Sequence, residues 1–118
     1  MNGHVTDIKT ITGRANFVRM NASAARFVVS NFILQMSENP DLPKGSVCVG
    51  YTVTKKLGNA VLRNRIKRRL REAARKTIPT HAKPQRNYVF IARHKALECD
   101  FAELVREMEF AFSRIKAK

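Results

Sequence analysis

Residues 55–76 read KKLGNAVLRNRIKRRLREAARK, ten Lys or Arg against a single acid, Glu72. Six of the ten are Arg, whose planar guanidinium matches phosphate oxygens in a two-pronged contact. Wound as a helix at about 100° per residue, the segment places Leu62, Ile66, Leu70 and Ala73 on one side. Asn64, Arg68, Arg71 and Arg75 lie along the other, with Lys67 beside them and Arg65, Arg69 and Lys76 on one flank. A solvated helix face normally mixes signs four residues apart, because like charges at that spacing repel. Here only Glu72 offers relief. A membrane-surface helix wants bulky apolar residues and preferably Trp, and this chain has no Trp. Phosphate binding is the reading that fits, although charge alone does not choose RNA over DNA.

The remaining residues give no self-contained catalytic centre. A protein nuclease needs a carboxylate cluster for metal or a His/Lys pair for acid–base work. Of nine acids, Glu98, Asp100, Glu103, Glu107 and Glu109 fall in or just before the last apolar-periodic segment, where a solvated face is the simplest expectation. His4, His81 and His94 are scattered, and Cys48 and Cys99 stand far apart with no zinc-ligand spacing. Both thiols are expected to be reduced, packed side chains.

These residues need elements to hold them. Asn59 is a good N-cap for a helix starting near Ala60, which should end before Pro79 because proline disfavours helical geometry in its predecessor. Residues 47–54 alternate as a strand, with Val47, Val49, Tyr51 and Val53 on one face and Cys48, Gly50, Thr52 and Thr54 on the other. The second face is small and hydroxyl-bearing, suited to a solvent face or to a close-lying ligand. Residues 27–35 (FVVSNFILQ) read as a strand with a bulge or bend at Ser30 and Asn31, and 37–45 as a loop. A second clear strand is expected over 87–93 and an amphipathic helix over 100–116. Residues 14–21 read as a short helix carrying Phe17, entered from a polar arm over 1–12.

At 118 residues there is room for one domain, 1–118. The 23 Lys plus Arg against 9 Asp plus Glu give a net charge of +14, which opposes compaction unless a polyanion neutralises it. Nucleic acid is the first candidate partner and an anionic membrane surface the second. No apolar run suits a signal peptide or approaches the roughly 20 residues that span a bilayer, so a cytoplasmic location is expected.

The run from strand to helix, Thr54-Lys55-Lys56-Leu57-Gly58-Asn59-Ala60-Val61-Leu62-Arg63-Asn64-Arg65-Ile66-Lys67-Arg68, resembles the signature of the bacterial ribonuclease P protein family. In that family a Lys-Lys-x-Gly-Asn-Ala-Val loop leads into an Arg-Asn-Arg helix. The resemblance covers about residues 13–115 and takes in Phe17, the 32–34 and 88–93 strands and the final helix. It implies a two-layer α/β (α+β) sandwich of ribosomal-protein-S5-domain-2-like fold. The implied order is α-β-β-β-α-β-α, with a left-handed βαβ crossover against the general preference.

It also implies a protein subunit that joins a catalytic RNA, the ribonuclease P RNA. The assembly removes the 5′ leader of precursor tRNA by phosphodiester hydrolysis, leaving a 5′-phosphate, with the chemistry carried by RNA-bound Mg²⁺. Carried over residue by residue, Arg63, Asn64, Arg65, Lys67, Arg68 and Arg71 face the catalytic RNA, and Lys55, Lys56 and Asn59 form the loop that opens the helix. Phe17, Ile33, Gln35, Thr52 and Thr54 line the leader cleft. No catalytic or metal-binding residue, membrane or DNA partner is implied, and the protein is expected to be monomeric within the holoenzyme. Asn21 and Gln35 stand where some relatives carry an aromatic residue, which leaves Phe17 as the main stacking candidate. The rivals are a ribosomal or ribosome-assembly protein of related fold, a DNA-binding regulator and a stand-alone nuclease.

Overall fold

Strand-forming runs rich in Val, Ile and aromatic residues assemble into one mixed sheet. The computed structural model describes residues 5–11 and 25–116. Its strands are β1 (Asp7–Thr10), β2 (Ala25–Val28), β3 (Phe32–Glu38), β4 (Ser46–Thr52) and β5 (Arg86–Ala92), in the order β1-β4-β5-β3-β2. The β1–β4 and β4–β5 pairs are parallel; the β2–β3 and β3–β5 pairs are antiparallel. Helix α1 (Ala60–His81) connects the parallel neighbours β4 and β5, and α2 (Phe101–Arg114) follows β5. The two helices share one core with one face of the sheet. Ile66, Leu70, Ala73 and Ile78 of α1 and Leu104, Met108 and Phe112 of α2 pack with Phe32, Leu34, Val47, Val49, Tyr88 and Phe90. This is the expected two-layer α/β architecture.

The single strand expected over 27–35 is instead two strands joined by a tight turn. Asn31, fully buried, holds that turn: its side-chain amide donates to Glu107 (2.8 Å) and Glu103 (3.4 Å), and its backbone N–H donates to Glu107 (3.2 Å). The polar pair that suggested a bulge or bend does bend the chain, and it reverses it there, anchored by a helix more than seventy residues downstream. β1, a short exposed edge strand, had no apolar pattern to announce it.

The expectation that α1 stops before Pro79 is also corrected, since α1 continues to His81 with Pro79 in its last turn. Ile78 and Ala82 are buried, and the Ala82 N–H donates to the Ile78 carbonyl (3.1 Å), so core packing outweighs the local preference. Arg75, whose carbonyl loses its intrahelical donor, is exposed. The helix expected over 14–21, with Phe17, lies outside the described residues.

Candidate nucleic-acid interface

The entry to α1 is built for one conformation. Lys55–Leu57 make a single 3-10 turn that ends at Gly58, whose φ of 143° suits glycine. A Cβ on Gly58 would lie 2.9 Å from Leu62 Cδ1, so the residue also permits close packing of the turn on the helix. The Asn59 side chain caps α1 by accepting the Leu62 N–H (3.0 Å), as its position in the sequence predicts. Arg63 is half-buried and its Nε donates back to the Gly58 carbonyl (3.2 Å), which ties the first turn of the helix to the loop. Lys55 and Lys56 remain exposed.

Beyond that turn, Asn64, Arg65, Lys67, Arg68 and Arg71 share one shallow groove with Val61 on the outer side of α1. The contacts between basic side chains and carboxylates among the described residues are Lys9–Asp7, His81–Glu109 and Arg86–Glu38, so none of these groove cations meets a carboxylate. Arg69 behaves differently. Its guanidinium donates to the Ala96 carbonyl (3.2 Å) and to the Cys99 carbonyl, fastening the segment before α2 to α1. It is a structural cation among outward-facing ones.

A second basic surface opens at the carboxyl ends of β4 and β5. Thr54, Lys56, Arg93, His94 and Lys95 surround a basin that also takes in Ser30 and Leu57. From this end the sheet face away from the helices runs down in rows. Ile33, Ile91 and Thr52 are register partners across β3, β5 and β4, and Gln35, Val89 and Gly50 form the next row. Thr52 and Ile33 are half-buried, whereas Gln35 is only 3% exposed and its Oε1 has no hydrogen-bond partner among the described residues. The structure thus brings Ile33, Gln35 and Thr52 onto one face with Thr54 at its end.

Residues 7–116 match the family model for ribonuclease P. The chain belongs to the ribonuclease P protein family. The ribonuclease P protein component of Paramagnetospirillum magneticum is 40% identical over 106 residues, 88% of this chain and 80% of that protein. The corresponding protein of Caulobacter vibrioides is 39% identical over 114 residues, 97% of this chain and 75% of its own length. Among solved structures, the RNase P protein of Staphylococcus aureus superposes with a TM-score of 0.75 at 27% identity, covering 90% of this chain and 95% of that one. The RNase P protein of Thermotoga maritima reaches 0.79 at 21% identity, covering 92% and 99%, a likeness of fold. Membership makes the chain a component of an endoribonuclease that associates with an RNA subunit.

Arg93, His94 and Lys95 of the basin are not among the residues that the sequence singles out. Their signal was weak because they stand in a short basic stretch after a strand, without helical periodicity. Cys48 and Cys99 are free and half-buried, as expected. Glu103, Glu107 and Glu109 are not simply a solvated face. The first two hold Asn31, and Glu109 lies 3.6 Å from His81.

Proposed function

We propose that the chain is the protein subunit of the ribonuclease P ribonucleoprotein, binding the catalytic RNA and the 5′ leader of precursor tRNA. The observation that carries this reading is the outer groove of α1, where Asn64, Arg65, Lys67, Arg68 and Arg71 lie together without a carboxylate partner among the described residues. Such a surface is destabilised by its own repulsion until phosphates neutralise it. Arg63 and Asn59 set the helix entry, and Lys55 and Lys56 extend the cationic surface along the loop. The leader runs over the sheet face of Ile33, Gln35 and Thr52 and past Thr54 into the basic basin, with Phe17 as its stacking partner.

The chemistry belongs to the RNA subunit. Among the described residues no three His, Cys, Asp or Glu side chains come together to hold a metal ion. Mg²⁺ held by the RNA and the substrate would supply activated water for phosphodiester hydrolysis. The protein's part is to bind and orient: cations fix the RNA, and the sheet face holds the leader. Residues 1–118 act as one unit, a monomer within a cytoplasmic holoenzyme, with no membrane or DNA partner. Among the described residues no helix is long and apolar enough to cross a membrane.

The test is cleavage of a precursor tRNA at low Mg²⁺ by a bacterial ribonuclease P RNA, with and without this protein. Stimulation by the mixture, with no cleavage by protein alone, is the expected result. Tight RNA binding without stimulation would favour the ribosomal rival, and cleavage by RNA-free protein would favour a stand-alone nuclease.

A further inference from the structure

At the opposite sheet edge from β2, a cleft of about 110 Å³ lies between β1 and α1. The buried Val49 and Ile78 form its floor, and Thr10, Tyr51, Arg71 and Arg75 are among its other walls. Tyr51 is pinned in place. Its ring stacks on Phe90 at 5.7 Å and 12°, and the Arg71 guanidinium carbon sits 5.8 Å from its centroid. Burial pushes the Tyr51 phenol up to about 12 against the pull of Arg71 and Arg75, so at neutral pH the hydroxyl keeps its proton and can donate. Lys9, on the β1 side, is paired with Asp7 at 2.9 Å. Arg71 and Arg75 have no such partner among the described residues, which leaves them as the uncompensated charges of the cleft. The space equals that of roughly four waters, enough for a phosphate tetrahedron.

We propose that this cleft seats one phosphodiester group of bound RNA, its oxygens taken by the Tyr51 hydroxyl and the Arg71 and Arg75 guanidiniums. The proposal rests on the RNA-binding reading and extends it around the Arg71 edge of α1 to the β1 edge of the sheet. The stacked ring holds Tyr51 half-buried beside the apolar floor, and Arg71 and Arg75 border the cleft from exposed positions, where a guanidinium forms charge-assisted hydrogen bonds to phosphate. Arg71 thereby links the outer groove to the cleft, since it borders both.

The experiment titrates the RNA-free, full-length protein with inorganic phosphate at constant ionic strength, following the tyrosine ring and arginine Nε–H resonances by NMR. It is repeated with Tyr51→Phe, which keeps the ring stack, and Arg75→Gln, at an exposed position. Saturable shifts at Tyr51, Arg71 and Arg75 are expected. The phosphate dissociation constant should rise about threefold to tenfold in Tyr51→Phe and about tenfold or more in Arg75→Gln. In parallel, the affinity for a ribonuclease P RNA is measured against salt. Arg75→Gln should flatten the log–log slope by about 0.7 to 0.9, one phosphate's worth. Absence of saturable phosphate binding, or indifference to both substitutions, would overturn the seat, while intact RNA binding by the unaltered protein would leave the subunit reading standing. Phosphate binding lost in both variants with an unchanged RNA salt slope would also overturn it, because the seat would then not hold RNA. Failure of the unaltered protein to bind the RNA at all would instead remove the reading on which the proposal rests.

Discussion

Helices α1 and α2 do the same packing work and end with opposite surfaces. Each presents a stripe of buried apolar residues to one core, Ile66, Leu70 and Ile78 from α1 and Leu104, Met108 and Phe112 from α2. The Thr77 hydroxyl, bonded to the Ala73 carbonyl at 3.0 Å and 3.8 Å from Met108 Sδ, marks where they meet. Their polar residues differ in what they touch. On α2 the acids have partners within the chain, Asn31 for Glu103 and Glu107 and His81 for Glu109. On α1 the groove cations Arg65, Lys67 and Arg68 have none among the described residues. Charge that the fold already satisfies contributes to stability, and charge it leaves unsatisfied is available to a partner.

That contrast can be broken at several points. The largest effect is expected in the shared core. Leu70→Ala on α1 and Met108→Ala on α2, both fully buried, should each cost about 3 kcal/mol in chemical denaturation, with RNA affinity of the folded protein unchanged. A much smaller loss at one of them would show that the helices do not contribute alike. Next comes Asn31→Ala, which strips the amide from the two α2 carboxylates and should cost about 2 kcal/mol. If stability holds and RNA affinity falls instead, the α2 acids are not structural. Arg69→Ala should cost about 1 kcal/mol by freeing the Ala96 and Cys99 carbonyls, while RNA affinity changes less than about threefold. An RNA defect at Arg69 as large as at its outward-facing neighbours would erase the distinction drawn within α1.

Much of this arrangement was legible before any coordinates. The Asn59 cap, the stripe from Ile66 to Ala73 and the alternation of β4 are local patterns, and local patterns survive folding when the core agrees with them. What escaped the sequence was set at long range. Asn31 looked like a polar interruption in a strand because its partners, Glu103 and Glu107, are far away along the chain. Pro79 looked like a stop because the burial of Ile78 and Ala82 is invisible in a local rule. Arg69 was indistinguishable in type from Arg68, and only the carbonyls of Ala96 and Cys99 separate them. The basin was half legible: Thr54 and Lys56 belong to the loop motif, whereas Arg93, His94 and Lys95 reach the same place from the other parallel strand.

The most direct test of the contrast is the salt dependence of ribonuclease P RNA binding by the unaltered protein and by Arg65→Ala/Arg68→Ala, with thermal melting of both. Two lost phosphate contacts should lower affinity roughly 100-fold at low salt and flatten the log–log slope by about 1.5. The melting temperature should stay within about 3 °C, because both side chains are exposed and neither supports the core. An unchanged slope, or a fall in melting temperature that accounts for the lost affinity, would contradict the assignment of α1's unpaired charge to RNA.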